Sequence, residues 1–170
     1  MHQTLVLGGA RSGKSAYAEK LATQSGHTVI YMATAEVRDK AIEERVRLHQ
    51  ASRPSEWKTV NSPTALASTL EAHAADNVTI LVDCLTMWVT NLLCAEDKQL
   101  LASEVAALHK VLRTLPGQII FVSNEVGMGI IPMGELTRDY VDIAGKLHQD
   151  IAAEVEQVVL VVAGLPMVLK

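Results

Sequence analysis

Eight consecutive residues, Gly8-Gly9-Ala10-Arg11-Ser12-Gly13-Lys14-Ser15, satisfy the pattern G-x-x-x-x-G-K-[ST]. The glycines let the backbone curl so that successive amides point inward, and a helix starting just after them adds the positive end of its dipole. A lysine at the seventh position can reach the β and γ phosphates of a nucleoside triphosphate, and the following hydroxyl is suited to Mg²⁺. This segment therefore predicts a phosphate-binding loop with Lys14 as its cation and Ser15 as a metal ligand. Asp83, which closes the apolar run Val78 to Val82, is the natural second carboxylate for that Mg²⁺, because neighbouring strands bring such a residue beside a phosphate loop. Its alternative is an Asp that merely terminates a strand.

Other side chains are less decided by type and spacing. Arg53 can grip phosphate oxygens in a bidentate way during a transfer, or simply complement a helix dipole at a C-terminus. The segment Asn124 to Leu136 holds three glycines and Pro132 and reads as an irregular active-site loop. In it Glu125 is a candidate for ordering an acceptor or a metal-bound water, while Gly127 and Gly129 permit either a closing lid or a flexible turn.

The elements that must hold these residues follow from the hydrophobic pattern. Thr4 to Leu7 is an apolar run stopping at Gly8-Gly9, and Lys14 to about Gln24 has helical spacing, so the loop sits between strand and helix as the motif requires. Thr28 to Ala33 reads as a second strand. A helix is expected from Glu36 to about Gln50 with His49 near its end, broken by Arg53-Pro54. Trp57 to Val60 alternates like a short strand, and Ser62-Pro63 opens a helix through His73. Val78 to Val82 and Gln118 to Ser123 read as strands buried on both faces. Helices are expected over Leu85 to Leu93, Glu96 to Leu115 and Thr137 to Glu156. Val158 to Ala163 is a last strong strand, and Gly164 to Pro166 turns the chain into an antiparallel edge at Met167 to Leu169.

Strands alternating with helices predict an α/β fold: a doubly wound, mostly parallel sheet with helices on both faces and a short antiparallel C-terminal edge. The 170 residues suit one domain. Hydrophobic residues form 49% of the chain and aromatics only 4%, so the core must be aliphatic. The formal charge of -4 gives no basic field for nucleic acid. Cys84 and Cys94, the two cysteines, lack the spacing of a disulfide framework or zinc site, which fits a reducing cytoplasm. No apolar run reaches the length of a membrane span, and no leader pattern precedes the first strand.

Taken together, the phosphate loop, Arg45-Val46-Arg47-Leu48-His49 with Arg53-Pro54 and Trp57, Asp83-Cys84-Leu85-Thr86, and Ser123-Asn124-Glu125-Val126-Gly127-Met128-Gly129 closely resemble one family. It is the bifunctional adenosylcobinamide kinase and adenosylcobinamide-phosphate guanylyltransferase family of cobalamin biosynthesis, within the P-loop NTPase-like folds. The likeness continues through Arg138-Asp139, Asp142 and Gly145 to the terminal strand. It implies phosphorylation of the aminopropanol hydroxyl of adenosylcobinamide by ATP or GTP. A second reaction follows, in which GMP passes from GTP to a histidine and on to the new phosphate, giving adenosylcobinamide-GDP. His49 matches the family nucleophile, and a neutral imidazole is competent for that role; His2, His27, His73, His109 and His148 lack a comparable context. The resemblance also implies that Ala33, Thr34, Ala35, Gln50, Ala51, Ser52 and Arg53 lie along the nucleotide, that Mg²⁺ is used, and that the chain forms a homotrimer.

One position departs from the family. After Trp57 to Val60 the family typically carries a glutamate associated with guanine recognition, whereas this chain has Asn61. An amide can hydrogen-bond guanine but offers its donors no full negative charge. Asp83 stands where family members carry either acidic residue. Two other readings of the phosphate loop are a small-molecule kinase that never guanylylates itself, which needs no His49, and a GTP-binding regulatory switch, which expects an N-K-x-D sequence that the chain lacks.

Overall fold

A computed structural model describes residues 2–36 and 54–170. Its strands are β1 (His2–Gly8), β2 (Thr28–Ala33), β3 (Lys58–Asn61), β4 (Val78–Asp83), β5 (Gln118–Asn124), β6 (Gln157–Val162) and β7 (Leu165–Val168). Its helices are α1 (Lys14–Gln24), α2 (Leu66–His73), α3 (Leu85–Leu93), α4 (Leu100–Leu112) and α5 (Glu135–Glu154). The expected helix from Glu36 to about Gln50 lies outside the described residues.

The strands form one sheet in the order β3-β2-β4-β5-β1-β6-β7, parallel except for β7, which runs antiparallel to β6. The antiparallel edge is thus as expected. Its turn is the two residues Ala163 (φ 52°) and Gly164 (φ 79°), and two successive positive φ values match the right-handed twist of a hairpin.

Alternate strand residues face opposite ways, so β1, β2, β4, β5 and β6 each feed two cores. On one face Leu5, Met32, Ile80, Val82, Ile119 and Phe121 pack against α2, α3, α4 and α5, with Trp88 fully buried among them. On the other, Val6, Tyr31, Leu81, Ile120, Val122 and Val159 pack with α1 through Ala18 and Ala22. Helices cover both faces, unevenly among the described residues. As the composition required, the interior is aliphatic, with Tyr31, Trp88 and Phe121 its buried aromatics among the described residues.

Several boundaries moved for identifiable reasons. α2 starts at Leu66 rather than at Ser62-Pro63, because the Ser62 N–H is drawn to Ala33 O (2.8 Å) and Thr64 O accepts the Leu66 N–H. α4 starts at Leu100 rather than Glu96: the Asp97 carboxylate accepts the Gln99 N–H at 2.9 Å and holds a turn there. α5 starts earlier than expected, at Glu135 after Gly134, and ends at Glu154, since the Glu156 N–H already pairs with Gln3 O.

Candidate active site

Every parallel strand ends at the same edge of the sheet. Register sets Gly8 opposite Asn124 and Val161, and Ala33 opposite both Asp83 and Asn61. The glycine loop, the Asp83 turn, the β2 exit at Ala33 to Ala35 and the end of β3 at Asn61 therefore share one rim, where open α/β sheets bind ligands.

The loop itself is built by close packing. A Cβ on Gly8 would lie 2.4 Å from Ser12 Oγ and 2.6 Å from Val161 O, so only glycine fits. Gly13, with φ +93°, caps α1 in the left-handed region and approaches Gly164, whose Cα would stand 3.0 Å from an added Cβ. The Ser12 N–H donates to Gly9 O at 3.2 Å, and Lys14 Nζ donates to the same carbonyl at 3.2 Å. The Gly164 N–H donates to Ser12 O at 2.8 Å, fastening the β6–β7 turn to the loop. Gly9, Ala10 and Arg11 are exposed at the tip, and Ser15 is half-buried in the first turn of α1.

Asp83 is not on the strand next to β1, as expected from adjacency; β5 lies between β4 and β1. The carboxylate nevertheless belongs to the same neighbourhood, since Lys14 is close enough to Cys84 to act on its thiol. Burial, with the adjacent Asp83 charge, pushes that thiol up to about 11, while Lys14 pulls the other way. A thiol held neutral in this way is a packing group rather than a nucleophile. Ser15 and Asp83 are hard oxygen donors of the kind Mg²⁺ takes in small number alongside substrate phosphates. No group of three or more His, Cys, Asp or Glu among the described residues could hold a metal without such help.

Polar contacts that the sequence did not signal stiffen the rim. The Thr34 hydroxyl donates to Cys84 O at 2.7 Å and accepts from the Cys84 N–H at 2.9 Å. Thr34 is fully buried, so its hydroxyl is taken up inside the protein rather than offered to a nucleotide. The Thr86 hydroxyl accepts the Asn124 N–H at 2.8 Å, joining the β4 exit to the β5 exit. Asn61 is exposed at the end of β3. His49, Gln50, Ala51, Ser52 and Arg53 lie outside the described residues.

The loop after β5 begins against the phosphate loop, with the Glu125 N–H donating to Gly8 O at 3.0 Å. The Glu125 carboxylate accepts the N–H groups of Gly127 (2.6 Å) and Met128 (3.3 Å), so it organises its own loop. Beyond it, Ile130 and Met133 are each 97% exposed and Ile131 and Met128 nearly as much, above a cleft that Val126, Pro132, Arg138 and Asp142 help to line. His148, which the sequence left without a role, is held on α5 with Nε2 2.8 Å from the buried Ser123 hydroxyl. Burial lowers its pKa from the ordinary 6.5, against an opposing pull from Glu125. The i, i+4, i+8 spacing of Tyr140, Ala144 and His148 on one helix face was the available signal.

Comparison with known proteins agrees with this geometry. A KaiC-like protein from Pyrococcus horikoshii superposes with a TM-score of 0.51 at 13% identity, covering 94% of this chain and 70% of that one. The RadB recombinase gives 0.51 at 16%, covering 94% and 73%; such likenesses show the fold alone. Sequence relatives are nearer. The chain is 54% identical to the bifunctional adenosylcobalamin biosynthesis protein CobP of Pseudomonas aeruginosa, over 98% of this chain and 96% of that protein. It is 37% identical to the bifunctional adenosylcobalamin biosynthesis protein CobU of Escherichia coli, over 98% of each. Residues 4–169 match the family described as cobinamide kinase / cobinamide phosphate guanyltransferase, and the chain belongs to that family.

Proposed function

We propose that this protein phosphorylates adenosylcobinamide and then guanylylates the product. In the first reaction the aminopropanol oxygen attacks the γ-phosphorus of ATP or GTP, the bond to the β,γ-bridging oxygen breaks, the nucleoside diphosphate leaves and the hydroxyl proton is released. In the second, a nitrogen of His49 attacks the α-phosphorus of GTP and pyrophosphate leaves. The phosphate of adenosylcobinamide phosphate then attacks the same phosphorus, and the P–N bond breaks to give adenosylcobinamide-GDP.

Within this reading the amides of Gly8 to Ser15 hold the phosphates, Lys14 offsets the charge that develops on them, and Arg53 supplies a second positive charge. Ser15 and Asp83 hold Mg²⁺, which when bound neutralises phosphate oxygens. Ala33, Ala35, Gln50 to Arg53 and Asn61 line the nucleotide, with Thr34 buried behind them. The observation that carries the proposal is the common rim: the phosphate loop, the Asp83 turn, the β2 exit from which the chain continues toward His49, and the β3 exit all open at one sheet edge. The exposed apolar loop around Ile130 and Met133 stands beside it and suits a large corrinoid.

We assign the single domain to a cytoplasmic homotrimer. Exposed Leu165, Met167 and Val168 on β7 support self-association, and among the described residues no helix is long and apolar enough to cross a membrane. Sedimentation equilibrium tests the trimer.

The catalytic reading is tested with Mg²⁺ and GTP labelled separately at the α and γ phosphates. Retention of the α label alone, acid-labile and mapped to His49, is the expected result. Lys14→Ala abolishes both reactions, and His49→Ala spares phosphorylation while removing guanylyl transfer. Equal loss of both in folded His49→Ala protein would overturn that division. Asn61 favours a second reading, a kinase without the guanylyl step; it predicts nucleotide turnover with no label retained.

A further inference from the structure

The loop after β5 holds its large apolar side chains out in water. Besides Ile130 and Met133, Met128 is 77% and Ile131 79% exposed. Burying such side chains is favourable, so a free loop would fold them back onto the protein. Two charged side chains prevent it. At the start of the loop the Glu125 carboxylate accepts the Gly127 and Met128 N–H groups. At its end Arg138, in the first turn of α5, donates from Nη1 to Pro132 O at 3.2 Å and to Met133 O. No other hydrogen bond among the described residues reaches residues 126–133.

Held in this way, the loop and α5 enclose an open cleft lined by Val126, Ile130, Ile131 and Val141 together with Arg138 and Asp142. Arg138 and Asp142 are four residues apart on one helix and so share a face. Among the described residues, neither the Asp142 carboxylate nor the Nε and Nη2 groups of Arg138 have a hydrogen-bond or ion-pair partner. Free donors and a free acceptor on an apolar wall match a large ligand whose apolar body is edged with carboxamides, which is the chemistry of a corrinoid. A polyphosphate would meet the Asp142 charge. The cleft also adjoins the phosphate loop, because the loop that forms it starts with the Glu125 N–H on Gly8 O.

We propose that Arg138 is a positioning residue for the phosphoryl acceptor: by gripping the carbonyls of Pro132 and Met133 it keeps the cleft open, so that adenosylcobinamide meets a preformed surface. The inference rests on adenosylcobinamide being the acceptor. Preorganisation of this kind lowers the cost of binding without changing the chemical step. The acceptor's KM therefore depends on Arg138, while kcat does not. Nucleotide binding is independent of it as well, since the hydrogen bonds of Arg138 go to Pro132 and Met133 and none goes to the phosphate loop or Asp83.

The test is Arg138→Met, which keeps the apolar stem and removes the donors. For phosphorylation of adenosylcobinamide its KM is expected to rise about tenfold or more, with kcat and the calorimetric affinity for GTP within about twofold of wild type. Limited proteolysis reads the grip itself: cleavage within residues 126–133 is expected to be faster in Arg138→Met than in wild type. An unchanged KM or an unchanged cleavage rate in the folded variant overturns the proposal. A fall in kcat together with weaker GTP binding marks a general structural role and also overturns it. A shift in sedimentation, with or without a change in KM, assigns the apolar loop to contact with a second copy of the chain, against the proposal. If Arg138→Met does not fold, the polar but shorter Arg138→Gln is judged by the same criteria. Wild-type protein that does not phosphorylate adenosylcobinamide refutes the acceptor reading and this inference with it, whereas normal wild-type turnover with an unaffected variant refutes this inference alone.

Discussion

Two glycine-rich loops leave adjacent parallel strands at the same edge of the sheet, and they use glycine differently. In the loop after β1, Gly8 is hemmed in by Ser12 and by a carbonyl of β6, and Gly13 adopts a backbone conformation that side chains resist. In the loop after β5, Gly129 has nothing within 4 Å of where a Cβ would be, and Gly127 meets only the carboxylate of Glu125. The first loop is closed by packing; the second is open, with large apolar side chains turned outward. The difference teaches that composition marks both as candidate site loops but says nothing about which is rigid. A rigid loop suits phosphates of fixed shape, and an open apolar one suits a bulky acceptor.

Substitutions can break this contrast. The largest effect is expected for Gly8→Ala, where the new methyl meets a backbone carbonyl that cannot move aside; loss of about 2–4 kcal/mol of stability and more than about tenfold in GTP affinity should be seen by thermal unfolding and titration calorimetry. Gly13→Ala should cost about 1–2 kcal/mol for its left-handed φ and weaken nucleotide binding. A wild-type result for either would mean the loop is not held as described.

His148 sharpens the comparison from below the second loop, at the end of β5. Its folded pKa is lowered, so the neutral ring is the stabilised form. That contribution is fully present above the ordinary value near 6.5 and is lost as pH falls through the lowered folded value. His148→Gln should therefore flatten the acid limb of the stability curve, measured as melting temperature against pH. Ile130→Gln combined with Met133→Gln should change stability by less than about 0.5 kcal/mol, while weakening corrinoid binding or self-association. Gly129→Ala should be the quietest, within about 0.5 kcal/mol and with nucleotide affinity unchanged.

How much of this was legible beforehand depended on whether the signal was local. The phosphate loop, α1, β2 and α3 were readable almost to the residue, since motif, glycine position and apolar period all point the same way there. Lateral strand order was not. Nothing along the chain says that β5 slips between β1 and β4, so Asp83 was expected one strand nearer the loop than it stands. The roles of Thr34 and Thr86 were equally hidden, because each hydrogen bond joins residues far apart in sequence and a lone polar side chain carries no periodic trace. Glu125 was singled out for its chemistry, whereas its structural use is to bind amides two and three residues ahead.

The hydrogen bond from Gly164 to Ser12 has a consequence for the order of events during synthesis. The glycine loop is synthesised long before β6, yet one wall of it is the β6 backbone and one of its carbonyls accepts from the turn that follows. A nascent chain halted before β6 would carry the whole motif and still lack the surface against which it curls. Nucleotide capture by ribosome-bound chains of increasing length should consequently switch on late, after residue 164 clears the exit tunnel, making ligand binding a reporter of completed folding rather than of the motif's emergence.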